Sequence, residues 1–172
     1  MLFNSYIFIF VFLPVTLAAV ALARRAGVRP AMAVLVAASL LFYGWFVPGH
    51  IALLLGSVAV NYGIGRLLHR RGGSRAWLTA GVAANLGLLG TFKYLDFLIG
   101  TVNGALGAEW TLLHIILPLA ISFFTFQQIA YLVDVHRGLA TPPPPLDYAL
   151  FVCFFPQLIA GPIVHHSEIV PQ

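Results

Sequence analysis

Five polar side chains recur at every third residue of one apolar stretch: Ser122, Thr125, Gln128, Tyr131 and Asp134. On a helix that spacing draws a polar stripe that drifts slowly round the surface. Gln127 adds one more donor and acceptor beside it. In apolar surroundings such a stripe must face protein or water, not lipid. Its chemistry is hydrogen bonding, either to a polar substrate in a buried pocket or channel, or between helices. Residue types alone leave both readings open.

A second cluster lies in Phe154-Phe155-Pro156-Gln157-Leu158-Ile159-Ala160-Gly161-Pro162-Ile163-Val164-His165-His166. Pro156, Gly161 and Pro162 make poor helix, and non-helical backbone at membrane depth persists only where it is buried or lines a cavity. A broken or re-entrant segment is expected, with Gln157 placed to donate and accept. His165 and His166 are open to three roles: general base, metal ligand or interfacial residue. Adjacent helical residues point about 100° apart, so one site would rarely use both. With no Cys or carboxylate at ligand spacing, no metal is expected. No phosphate loop, serine elbow or zinc-protease motif is present, and no cofactor is expected.

The elements that must position these residues follow from composition and charge. The 172 residues are 60% hydrophobic and 8% charged, where soluble domains run at about 25% charged. That excludes a soluble globule. Fourteen Phe, six Tyr and three Trp exclude disorder, and the single Cys153 excludes a disulfide scaffold. An integral membrane protein remains, with no soluble domain. A spanning helix needs about 20 mostly apolar residues. Met1–Ala23 supplies one span. Pro30–Gly65 is too long for one and is cut at Pro48-Gly49. Ala76–Phe92, Thr111–Val133 and Leu146–Val164 complete about six, the sixth broken or re-entrant. Phe97–Leu106 is short and reads as an interfacial or re-entrant piece. No strand alternation supports a barrel. The expected class is all-α and polytopic.

Of the nine cations, eight (Arg24, Arg25, Arg29, Arg66, Arg70, Arg71, Arg75 and Arg137) fall in connections on one side of the six spans. The positive-inside rule makes that side cytoplasmic and puts the N-terminus outside. The net charge of +4 is therefore a topology signal, and with the cations split among short loops no nucleic-acid partner is expected. Ala21-Leu22-Ala23 has the look of a cleavage site, but Met1–Tyr6 carries no cation ahead of the apolar run, which argues against a signal peptide. Arg70-Arg71-Gly72-Gly73-Ser74-Arg75 reads as a flexible basic turn. Thr141-Pro142-Pro143-Pro144-Pro145 reads as a stiff spacer. Small-residue pairs Gly56/Val60, Asn61/Gly65 and Ala83/Gly87 mark close-approach positions, and Asn61 and Asn85 can hydrogen-bond between helices.

Four stretches carry a family resemblance. They are Phe42-Tyr43-Gly44-Trp45 with Leu53-Leu54-Leu55 and Asn61-Tyr62; Asn85-Leu86-Gly87 with Phe92-Lys93-Tyr94 and Phe97; Leu117-Pro118-Leu119 with Ser122-Phe123-Phe124-Thr125-Phe126-Gln127, Tyr131-Leu132, Asp134 and Arg137-Gly138; and Phe155-Pro156-Gln157-Leu158 with Ala160-Gly161-Pro162-Ile163. Together they resemble the membrane-bound O-acyltransferases, in particular the bacterial alginate O-acetylation branch. Ala120 stands where that family usually has Gly.

The resemblance implies acyl transfer, with acetyl the expected group, to a hydroxyl of an extracytoplasmic polysaccharide or similar acceptor. It implies residence in the bacterial inner membrane beside the partner proteins of an exopolysaccharide acetylation system. Family members are much longer, and their catalytic histidine lies in the C-terminal half. No residue here matches it, and neither His165 nor His166 inherits that role. The chain is therefore expected to be the N-terminal part of a larger domain, inactive alone, with Ser122, Thr125, Gln127, Gln128, Tyr131, Pro156, Gln157, Gly161 and Pro162 on a substrate tunnel. A non-catalytic scaffold subunit and a transporter-like protein are the alternatives.

Overall fold

A computed structural model describes residues 4–45 and 47–160. All regular elements among them are helical. A π-helical turn, Phe8–Phe12, runs directly into α1 (Leu13–Arg24). Pro14 has no N–H to offer the preceding turn, and the winding widens just ahead of it. There follow α2 (Val28–Gly44), α3 (Gly49–Arg70), α4 (Arg75–Leu106), α5 (Ile121–His136), α6 (Pro145–Cys153) and α7 (Phe155–Ala160). The α2–α3 break falls at Pro48-Gly49 as the sequence requires.

The helix α5 sits at the centre, packed on α4 and α3 and touching α6 and α7, while α1 lies on α2 and α2 on α6. Phe124, Gln128 and Leu132 are fully buried along it, with Tyr131 all but so. A smaller aromatic knot of Phe8, Phe12, Phe42 and Phe155 joins the N-terminal helix to the end of the described chain.

By length and composition α3 and α4 can each cross a membrane, and two shorter apolar helices cover Phe8–Arg24 and Val28–Gly44. Only 11% of the apolar window of α4 is buried, so α4 is not the core helix of a soluble protein. Phe97 and Leu98 stand 69% and 54% exposed on it. Such surface belongs in lipid or against further protein.

Two of the expected spans are redrawn. Phe97–Leu106 is no separate interfacial piece but the last three turns of α4. That helix is 32 residues long, roughly 48 Å, against a hydrocarbon core of about 30 Å. Lys93 and Asp96 do not end it because both find partners off the helix. Lys93 Nζ donates to Ser122 Oγ at 3.4 Å. Asp96 Oδ1 and Oδ2 accept the backbone N–H groups of Leu113 and Ile115 at 2.8 and 3.0 Å.

The second revision is a consequence of the first. Thr111–Leu119 is not the opening of the fifth helix but a non-helical strap tied to α4. Asn103 adds a reciprocal pair with the Trp110 backbone, at 2.7 and 3.0 Å. Pro118 disfavours helix at Leu117, and α5 starts only at Ile121.

Ala120 caps that start at φ +55, a left-handed conformation in which a Cβ costs about 1–2 kcal/mol. This explains physically why glycine suits the position. Ala120→Gly is expected to raise stability by about 1 kcal/mol, read as a shift of the unfolding midpoint in detergent. An unchanged or lower midpoint would show that the turn relaxes without it.

The basic turn between α3 and α4 is tightly wound. Gly72 and Gly73 sit at φ +61 and +76, and Gly73 N–H donates to the Leu68 carbonyl at 2.9 Å.

Candidate functional site

Four of the five stripe residues, Thr125, Gln128, Tyr131 and Asp134, are buried, and Ser122 is half-buried. The stripe faces protein, as an apolar surrounding demands. Gln128 looks toward α3, where Ser57 Oγ donates to its Oε1 at 3.3 Å and accepts from its Nε2 at 3.1 Å. Gln127 points the other way and donates from Nε2 to the Phe151 carbonyl of α6 at 3.0 Å. The two adjacent amides thus bind α5 to different neighbours.

The polar line continues from Ser57 along α3. Asn61 Nδ2 donates to the Ser57 carbonyl at 3.0 Å and to Asn85 Oδ1 at 3.2 Å. Asn85 Nδ2 donates back to Asn61 Oδ1 at 2.6 Å and to the Gly81 carbonyl at 2.8 Å. Each amide meets the other's donor and acceptor, so α3 and α4 are joined by a self-satisfied pair. A groove of about 350 Å³ runs beside it between these helices, past Gly56, Val60 and Ala84.

Where α3 and α5 cross, Gly65 meets Tyr131, and a Cβ there would lie 2.7 Å from Tyr131 Cε1. Gly81 of α4 packs against Leu132 in the same way. Of the small-residue pairs, Asn61/Gly65 is thus a true close approach. Gly56 and Gly87 are not, since open space surrounds each.

The sixth segment is broken, as expected. Phe154 adopts φ −55, ψ 108 between α6 and α7, directly before Phe155-Pro156. Ser39 of α2 meets the break: its Oγ accepts Phe155 N–H at 3.2 Å and donates to the Leu35 carbonyl at 2.8 Å. A backbone donor freed by the break is thereby satisfied by a neighbouring helix.

Several buried polar atoms around α5, α6 and α7 have no partner among the described residues: Thr125 Oγ1, Gln127 Oε1, Gln157 Nε2 and the hydroxyls of Tyr43 and Tyr148. Buried polar atoms are nearly always partnered, so the surroundings of α5 hold unmet hydrogen-bonding capacity, whereas the Asn61–Asn85 pair between α3 and α4 is closed on itself. Pro156 is half-buried within α7. Gly161, Pro162, His165 and His166 lie outside the described residues.

Sequence reasoning missed Ser57, Ser39, Asp96 and Asn103 as organisers. An acid in an apolar run was a usable signal for Asp96. The two serines carried none, because a serine's partner is set by the tertiary fold.

The chain is 43% identical over its whole length to the peptidoglycan O-acetyltransferase of Helicobacter pylori, of which it covers 38%. It is 38% identical, again over its whole length, to the probable alginate O-acetylases of Pseudomonas aeruginosa and Pseudomonas putida, of which it covers 34% and 37%. It therefore spans somewhat more than a third of the length of these relatives. No family model matches it, and no solved structure does.

Proposed function

We propose, from the chain's membership of the bacterial membrane-bound O-acyltransferases, that residues 1–172 form the N-terminal membrane scaffold of an enzyme that moves an acetyl group to a hydroxyl of an extracytoplasmic polysaccharide. Whole-chain identity to O-acetyltransferases named for two different glycans carries this reading. The relatives share the reaction while their acceptors differ, so a common scaffold is the economical role for the shared part. The general base that takes the acceptor's proton is a histidine elsewhere in the full enzyme, and this portion positions rather than reacts. The membrane is the bacterial inner membrane, with the Arg-bearing turns in the cytoplasm.

The substrate path passes the unpartnered polar atoms that surround α5. Thr125, Gln127 and Gln157 present their free polar atoms to it, with Ser122, Tyr131 and Pro156 flanking and Gln128 holding the wall to α3. The test is a chimaera in which this chain replaces the matching portion of the Helicobacter pylori enzyme. Thr125→Val is nearly isosteric and removes only the hydroxyl. If that hydroxyl serves no ligand, the variant is as stable or more so and acetylates normally. The path reading expects unchanged stability and transfer slowed by up to about tenfold. Full activity in Thr125→Val would remove this residue from the path.

Orientation has its own readout. With Cys153 buried, a membrane-impermeant maleimide on intact cells should label Ala108→Cys and leave Ser74→Cys unlabelled until the cells are opened. The reverse pattern would invert the topology.

A further inference from the structure

A cleft of about 370 Å³ opens where the last turns of α3 face the start of the proline run, lined by Arg66, His69, Arg70, Thr141 and Pro142. It is separate from the α5 face and from the groove between α3 and α4. Arg66, His69 and Arg70 stand at i, i+3 and i+4, which places them on one face of the helix. All three are exposed. Arg66 lies with its guanidinium 5.9 Å from the ring centre of Tyr62, a contact that steadies the cation. None of the described acids, Asp96, Glu109, Asp134 and Asp147, lines the cleft. The opposite wall is a stiff proline segment that cannot fold away, and Thr141 brings a hydroxyl.

Two arginines, an imidazole and a hydroxyl around one opening suit a phosphate. Guanidinium forks match phosphate oxygens bidentately. Depth points to its source. The helix α3 is 22 residues long, about 33 Å, so a helix that enters the roughly 30 Å core near Gly49 delivers Arg70 to the opposite headgroup layer and leaves Arg66 about one turn short of it, within snorkelling reach. Basic pockets beside membrane helices take anionic headgroups there.

We infer that the Arg66–His69–Arg70 cleft is a phosphate-recognition site occupied by the headgroup of an anionic phospholipid. The whole chain, purified in mixed micelles, can be examined by native mass spectrometry with phosphatidylglycerol, phosphatidylcholine and, separately, inorganic pyrophosphate. Phosphatidylglycerol should be retained in preference to phosphatidylcholine. Arg66→Gln with Arg70→Gln should weaken that retention about fivefold for each arginine. Arg75→Gln, outside the cleft, should leave it unchanged. Because the replaced side chains are exposed, helical content should not move.

If pyrophosphate binds and displaces the lipid in the parent chain but not in the double variant, the phosphate site stands and its ligand is a soluble phosphorylated molecule. Two results overturn the inference. One is equal weakening by Arg75→Gln and by the double variant, which would mean a diffuse charge effect. The other is no preference for phosphatidylglycerol together with no binding of pyrophosphate.

Discussion

Gly65→Val should destabilise the chain by about 3 kcal/mol, the upper range for overpacking a close contact, and should loosen α3 from α5. Even a single Cβ at position 65 would lie 2.7 and 2.8 Å from Tyr131 Cε1 and Cζ. The tyrosine cannot retreat. It is 1% exposed, and its ring is packed 4.6 Å, centre to centre, from that of Tyr148, which is itself fully buried. Relief must come from the backbones moving apart, and that would stretch the Ser57–Gln128 bonds two turns along the same interface. Gly63→Ala is the matched control. Open space surrounds Gly63, so the added methyl meets nothing and should be neutral or stabilising by up to about 1 kcal/mol through helix propensity. Reversible unfolding in mixed detergent reads both. Equal effects from the two substitutions would mean that loss of glycine itself, not the Tyr131 contact, matters.

Asn85→Leu should cost about 2 kcal/mol, mostly because it strands Asn61 in the same buried layer. In the parent chain the two amides satisfy each other, with Asn85 Nδ2 also capping the Gly81 carbonyl. Removing one amide leaves the other short of a donor and an acceptor. Replacing both leaves no orphaned amide. The double variant Asn61→Leu/Asn85→Leu should therefore be less damaged than the sum of the singles, with a coupling of about 1 kcal/mol, the scale found for hydrogen bonds between membrane helices. Strict additivity would show that the pair is not coupled, and that the groove beside it, rather than the bond, sets the cost.

Much of this architecture was legible because lipid imposes a strict rule on charge. Uncharged runs bounded by arginines located the helices. Pro48-Gly49 marked one break, and Pro156 placed the other within a few residues. The spacing of Thr125, Gln128, Tyr131 and Asp134 marks the buried stripe of α5.

The errors also have a physical cause. Lys93 and Asp96 looked like the end of a span, since charges are costly in lipid. Instead they are satisfied by Ser122 and by two backbone N–H groups of a distant strap, and α4 runs on through Leu106. Thr111–Leu119 is apolar enough to read as helix, and nothing local shows that Asp96 ties it to α4. Nor does the residue type at Ala120 announce its left-handed backbone. For Lys93 and Asp96 the deciding partners are remote in sequence, and pattern alone does not reveal remote partners.

The most direct measurement is base-labile acetate on peptidoglycan from cells whose sole peptidoglycan O-acetyltransferase is the chimaera carrying this chain. Acetate is expected well above that of cells lacking the enzyme, falling in step with the folded fraction when Gly65→Val is introduced. A chimaera that is inserted and folded yet yields only background acetate would contradict the claim that this chain is an O-acetyltransferase scaffold.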